Sequence, residues 1–189
     1  PEDMRVYVKD IGGGFGAKGV PSEEEVVVVY LARLLERPVR WTETRTENLT
    51  SYVHGRAQDQ KVTIAGTRDG DIQAYRLELI QDSGAYPKYG AFLPEFTRQM
   101  ASGVYDIGRV ELEFASVVTT TAPICAYRGA GRPEATAAIE RAVDLFAAEI
   151  GMDPVEVRRR NLPSPDAFPF TNGTGTVYDS GEYERSQTR

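Results

Sequence analysis

Apolar and polar positions alternate at a period of two in four stretches of the chain, and each predicts a strand. Met4, Val6 and Val8 alternate with Arg5, Tyr7 and Lys9 over residues 4–9. Val62 and Ile64 alternate within 57–66, and Ile72, Ala74, Leu77 and Leu79 recur within 72–84. The Arg68-Asp69-Gly70-Asp71 turn between those two makes them the clearest β-hairpin. Val110, Leu112 and Phe114 alternate with Glu111 and Glu113 in a long strand, 109–120. Pro38–Thr42 reads as one more short strand. Helical spacing appears elsewhere. Ile139, Val143, Phe146, Ala147 and Ile150 share one helix face. They predict a helix over 133–150, with Pro133 in its first turn and Gly151 closing it. Asp153-Pro154 starts a short helix to Asn161.

Pro21-Ser22-Glu23-Glu24-Glu25 is a helix start, with acids where the helix dipole favours them. The apolar run Val26–Leu35 then predicts a buried helix, although four valines intrinsically prefer a strand. Glu43–Leu49 suits a surface turn or short helix, and 94–102 a short helix within an aromatic segment. From Pro163 the chain is rich in Pro, Gly, Thr and Ser and predicts no regular element. The organisation is therefore a domain over 1–162 and a largely irregular extension over 163–189. Helices alternate with strands, yet the central hairpin is antiparallel. The expected class is α+β, a mixed sheet with helices on one face.

Two glycine loops break this pattern. Between Gly12 and Gly16 four of five residues are glycine and the exception is Phe15. Interior glycine costs a strand or helix roughly 0.5–1 kcal/mol relative to alanine. Such a run belongs where backbone approaches a ligand closely, and its N–H groups can hold an anion such as phosphate. It is not a Walker A loop, because Gly19 rather than Ser or Thr follows Lys18. The competing reading is a glycine-lined turn packed on a strand. The second loop, Tyr127-Arg128-Gly129-Ala130-Gly131-Arg132, follows an expected strand and opens the 133–150 helix. Two arginines around exposed backbone suit phosphate or another oxyanion. They could equally pair with surface acids. One large anionic ligand shared by both loops explains the repetition best.

Composition removes several classes. A net charge of -6 argues against general affinity for nucleic acid or anionic membranes. One cysteine, Cys125, excludes a disulfide framework, and one histidine, His54, excludes a multi-His metal site. His54 has no partner in sequence and reads as a surface or packing residue. No apolar run approaches the length of a membrane span, so no membrane insertion and a cytoplasmic location are expected. The chain starts without methionine and almost in mid-strand, as an excised piece of something longer would.

Gly12-Gly13-Gly14-Phe15-Gly16-Ala17-Lys18, followed by Ala126-Tyr127-Arg128-Gly129-Ala130-Gly131-Arg132-Pro133-Glu134-Ala135, resembles the molybdenum-binding large subunit of the xanthine dehydrogenase/aldehyde oxidase/carbon monoxide dehydrogenase family. Arg159-Arg160-Asn161-Leu162 and Tyr178-Asp179-Ser180-Gly181 extend the resemblance to nearly the whole chain. It implies a molybdopterin-contacting domain of a molybdenum hydroxylase that oxidises an aldehyde or N-heterocycle. Gly13, Gly14, Phe15 and Gly16 would contact the cofactor, as would Arg128, Gly129 and Ala130. Phe15 and Arg128 would approach the molybdenum through their backbone. The implied cofactor is molybdenum–molybdopterin cytosine dinucleotide. The implied partners are the rest of the large subunit, a flavin-binding medium subunit with FAD, and an iron–sulfur small subunit with 2Fe-2S clusters.

This chain also departs from the family. Gly19 replaces a purine-anchoring glutamate, and Ala130 replaces a stacking phenylalanine, so xanthine is not the expected substrate. Gly129 stands where the carbon monoxide enzymes carry a copper-binding cysteine, so neither copper nor CO oxidation is expected. Arg98 falls near a substrate-orienting arginine of the purine enzymes. The family's general-base glutamate lies far towards the C-terminus, and 163–189 contains no match to it. The chain alone is expected to be inactive and free of cofactor. A non-catalytic subunit-assembly domain and a simple nucleotide-binding module remain the alternatives.

Overall fold

The computed structural model describes residues 5–187. At its centre is a three-stranded sheet in the order β1-β2-β3. β1 (Gln58–Gly66) and β2 (Ile72–Asp82) form the expected hairpin, antiparallel from Gln58 opposite Gln81 to Ala65 opposite Ala74. A register shift at Ala65/Gly66 then places Gly66 opposite Ile72. The shift changes the phase of β2, so Ile72 points inward and the next inward residues are Tyr75, Leu77 and Leu79. β3 (Arg109–Val117) lies parallel to β2 on its other side. The connection between them carries α3 (Leu93–Gln99).

The two faces of the sheet differ in chemistry. On one, Tyr75, Leu77 and Leu79 pack with Ile64, Val110 and Leu112 under Ala138, Ile139, Ala142, Val143 and Phe146 of α4 (Arg132–Ile150). On the other, Arg76 bridges Glu78, Glu111 and Glu113, and Lys61 pairs with Glu78. The sheet is mixed and helices cover one face, as the sequence predicts. α4 ends at Gly151, whose left-handed backbone lets its N–H reach the Ala147 and Ala148 carbonyls. Asp153 caps α5 (Pro154–Arg160) by accepting from the Val155 N–H. Just beyond α5, buried Asn161 bolts that helix to the hairpin turn. Its Nδ2 donates to Gly70 O (2.8 Å) and Val157 O (2.7 Å), while Oδ1 accepts from the Ile72 N–H (2.8 Å).

Several expectations need correction. α1 (Glu23–Leu35) forms where expected, with a capping box between Ser22 and Glu25, but buries none of its residues. Val26, Val29 and Leu34 are each 62% exposed. An apolar helix is buried only if something faces it, and the described residues supply no such surface. Met4 lies outside the described residues. Residues 5–9 form no strand and pair with no backbone among the described residues, and Val6 is 88% exposed. Pro38–Thr42 is likewise unpaired. Alternation marks a half-buried surface, and without a neighbouring backbone it does not make a strand. β3 stops at Val117, and the approach to the second glycine loop contains only one isolated bridge, His54 to Ile124. α2 (Arg45–Ser51) realises the expected short helix.

The segment after Pro163 is mostly irregular but not detached. β4 (Phe170–Thr171) pairs with β5 (Val177–Tyr178). Thr174 and Thr176 hydroxyls both donate to Gln99 O, and Tyr178 OH donates to Gly103 O. Among the described residues no helix is long and apolar enough to cross a membrane.

Candidate functional site

The first glycine loop turns tightly after Gly13. Ala17 N–H donates to Gly14 O (2.9 Å) and Gly19 N–H to Gly16 O (3.2 Å). Phe15 occupies the left-handed region at φ 49°, its ring folded back against Gly13 and 55% exposed. Gly16 decides where the loop sits. Its φ is +103°, and a Cβ there would lie 2.9 Å from the carbonyl carbon of Ala126 and closer still to its oxygen. Only glycine lets the two backbones meet this closely. Ala126 is two residues before Arg128, so the first loop rests directly on the second.

The second loop is wound by three consecutive left-handed residues: Gly129 (φ 95°), Ala130 (φ 43°) and Gly131 (φ 85°). Ala130 N–H donates to Tyr127 O (2.7 Å), closing the turn. Gly131 is pressed onto α3, where a Cβ would lie 2.6 Å from Leu93 O and 2.9 Å from Thr97 N. The Thr97 hydroxyl is 3.1 Å from Gly131 O. Among the described residues the N–H groups of Gly13, Gly14, Phe15, Gly16, Arg128 and Gly129 meet no acceptor.

The core face of the sheet becomes polar beneath this loop. In register beyond Leu79, Gln81 is fully buried and pairs with Gln58 (3.0 Å). Gln58 also donates to Thr97 (2.9 Å), and Gln60 to Glu134 O (3.4 Å). Buried amides need partners, and these partners are the elements that seat the loop. The segment leading to the second loop is held by Asp82 at the end of β2. Its carboxylate accepts from Gly84 N–H (2.7 Å), Thr119 Oγ1 (2.8 Å) and Thr121 Oγ1 (3.2 Å). The Gly84 N–H, then the two hydroxyls, hold the Asp82 carboxyl below the usual carboxylate range. His54 joins the same support. Its N–H donates to Pro123 O, its carbonyl accepts from Cys125 N–H, and its ring lies 3.2 Å from Leu49 O.

The two arginines of the second loop do different things. Arg132 stacks over Phe96 (5.0 Å) and its Nη1 donates to Gly129 O (3.3 Å). Arg128 is exposed, and among the described residues its side chain has no partner. Arg98 is occupied: Nε and Nη2 grip Glu95 (2.8 and 2.7 Å) and Nη1 donates to Thr174 O (3.0 Å). Gly19 closes the first loop as described, and Ala130 sits at the tip of the second. A groove of ≈ 500 Å³ borders the first loop between Ala17, Ser22, Tyr52 and Pro123. Lys88, the one cation among its described lining residues, is paired with Glu23 at 2.7 Å.

Sequence reasoning missed Arg56, which joins the second loop to the domain. Arg56 Nη1 donates to Glu134 Oε2 (3.0 Å) and Nη2 to the Arg128 carbonyl. Its guanidinium also lies 4.9 Å from the Tyr127 ring centroid. No periodicity or motif marks it. Gln81 was findable, as a polar residue in phase with Leu77 and Leu79.

Residues 1–162 match the molybdopterin cofactor-binding domain family. The chain belongs to that family. A solved relative, quinoline 2-oxidoreductase from Pseudomonas putida 86, superposes with a TM-score of 0.89 at 37% identity, over 94% of this chain and 23% of that one. The large chain of carbon monoxide dehydrogenase from Hydrogenophaga pseudoflava is 36% identical over 95% of this chain and 23% of its own length. The gamma subunit of the 6-hydroxypseudooxynicotine dehydrogenase complex of Paenarthrobacter nicotinovorans is 35% identical over 96% of this chain and 23% of its own. The chain thus spans about a quarter of these relatives. It resembles one segment of a molybdenum hydroxylase large subunit, and its α+β architecture is that of the family's molybdopterin-binding domain.

Proposed function

We propose that this chain supplies two adjoining backbone surfaces that hold molybdenum–molybdopterin cytosine dinucleotide in a hydroxylase large subunit. The observation that carries this reading is the seating of Gly16 on Ala126, which makes one surface of two glycine loops. The residues fit such a group. The free N–H groups of Gly13, Gly14, Phe15 and Gly16 suit its anionic oxygens, and those of Arg128 and Gly129 adjoin them. Ala130 shapes the tip, and Phe15 and Arg128 would stand nearest the metal through their backbone. The Arg128 guanidinium adds a positive charge available to phosphate. When bound, the group supplies the redox chemistry of the hydroxylation. The chain's own contribution is binding and orientation. Electrons would leave through 2Fe-2S clusters and FAD on the small and medium subunits.

The proposed substrate is an N-heterocycle or aldehyde. The names of two relatives, quinoline 2-oxidoreductase and nicotine 6-hydroxylase, support the former. Gly19 offers no acid and Ala130 no ring to anchor a purine. Gly129 has no thiolate for copper, although relatives include carbon monoxide dehydrogenase large chains. Arg98 could reach substrate only by releasing Glu95 and Thr174 O. The chain alone would be inactive, on the expectation that the general-base glutamate lies in a part of the large subunit beyond the segment matched here. The test is dye-linked oxidation by the full-length subunit assembled with its partner subunits. N-heterocycles or aromatic aldehydes should be turned over. Comparable turnover of xanthine or CO would overturn the assignment.

A further inference from the structure

We propose that Arg56 is a positioning residue that aims the Gly129 N–H outward from the second glycine loop. The inference rests on the cofactor reading above and deepens it. The Arg128–Gly129 peptide is trans, since Phe168–Pro169 is the one cis bond among the described residues. In a trans peptide the C=O and the following N–H point in opposite directions. Arg56, itself paired with Glu134 of α4, donates from Nη2 to the Arg128 carbonyl, so that carbonyl points towards Arg56. The Gly129 N–H therefore faces the opposite way, and it meets no acceptor among the described residues. Among the described residues no other donor reaches the Arg128 carbonyl. Gly129, at φ 95° and without a Cβ, offers little resistance to rotation of that peptide plane. Arg56 is what holds it.

Arg56 is itself fixed from three sides. Glu134, with a side chain only 7% exposed, accepts from Nη1 at 3.0 Å. Tyr127 lies beneath the guanidinium. The backbone at Arg56 has φ 68°, a left-handed conformation that persists only when surroundings impose it. Its neighbour Gly55 is packed against the same ring residue: a Cβ there would lie 2.6 Å from the Tyr127 Cβ. Glu134 is the third residue of α4, where a glutamate commonly folds back to cap its own helix. Here it reaches Arg56 instead, and the N-cap of α4, Gly131, offers no side-chain cap. One planar fork serves two acceptors in different directions, which a lysine ammonium on a flexible stem does not reproduce.

The test uses the full-length subunit with its partner subunits, made in a host that synthesises the cofactor. Arg56→Lys keeps a cation beside Glu134 and drops the carbonyl hold. Hydrogen–deuterium exchange should rise at least tenfold in the peptide covering 126–132 and stay within twofold in the 58–82 hairpin. Molybdenum retained through gel filtration should fall severalfold, and the Mo(V) electron paramagnetic resonance signal of the remaining loaded fraction should shift. A role in stability alone would move the hairpin and leave that signal unchanged. Wild-type exchange and an unshifted signal in Arg56→Lys would overturn the inference, as would faster loop exchange with full retention. Should the wild type carry no molybdenum or pterin, the cofactor reading fails. The exchange comparison then decides separately whether Arg56 holds the loop. Glu134→Gln, which weakens the anchor of Arg56 without touching the loop, should reproduce the exchange change in part; an unchanged loop there also counts against the proposal.

Discussion

Gly16→Ala tests whether the two glycine loops work as one surface. The substitution acts in two ways. Alanine at φ +103° is strained by about 1–3 kcal/mol. Its Cβ would also sit 2.9 Å from the Ala126 carbonyl carbon, whereas ordinary contact begins at 3.4 Å. The loop must therefore retreat from Ala126 by about 0.5 Å or more, and overpacking of this kind costs about 1–3 kcal/mol. The loop is exposed and tied by few hydrogen bonds, so part of the clash is relieved by its movement. A net loss of roughly 2–4 kcal/mol at the binding surface corresponds to roughly thirty- to several-hundred-fold weaker retention of the cofactor. The hydrophobic core is not involved, so the thermal midpoint should move by no more than about 2 °C. Gly12→Ala is the control, because a Cβ there has nothing within 4 Å. Molybdenum content of the purified full-length subunit and its melting curve are the assays. Equal molybdenum in Gly16→Ala and Gly12→Ala would refute the reasoning, and so would a loss matched by global unfolding.

Asn161→Leu removes three hydrogen bonds and strands the buried Ile72 N–H, at a cost of roughly 3–5 kcal/mol; urea unfolding should show a lower midpoint with an unchanged slope. Asp82, whose carboxyl is held below its usual range, contributes stability that is present above its unfolded pKa of about 3.9 and is lost as pH falls through the lower folded value. The stability difference between wild type and Asp82→Asn should therefore shrink as urea titrations move from pH 6 towards pH 2. Burial raises the phenols of Tyr75 and Tyr105, with the Tyr105 bond to Glu140 adding to the effect. Their contribution is complete below about pH 10 and declines as pH rises above it, so ultraviolet titration of the native chain should leave tyrosines protonated that ionise on unfolding.

The sequence exposes the parts of this fold whose local chemistry and tertiary role agree. The Asp69-Gly70 turn gives the hairpin, Gly151 and Asp153-Pro154 delimit α4 and α5, and the two glycine loops mark the candidate site. What escaped depends on neighbours distant in sequence. Val6, Val8 and Trp41 alternate like strand residues, yet no backbone among the described residues pairs with theirs. The valines of α1 imply burial, but a helix cannot state what will face it. The parallel placement of β3 follows from the crossover through α3, to which its own alternation is blind. Arg56 carries no local signature at all: its importance arises because Glu134 and the Arg128 carbonyl converge on it from 78 and 72 residues away. Asn161 stands in a recognisable Arg-Arg-Asn-Leu run, but its task of clamping the hairpin turn is visible only once Gly70 and Ile72 are beside it.

The central claim is that both loops hold one molybdopterin. Molybdenum and nucleotide analysis tests it most directly, on the full-length subunit co-expressed with its neighbouring subunits in a cofactor-producing host. The account predicts close to one molybdenum per large subunit, with cytosine nucleotide released on acid treatment. A folded complex from such a host with neither metal nor nucleotide would contradict it.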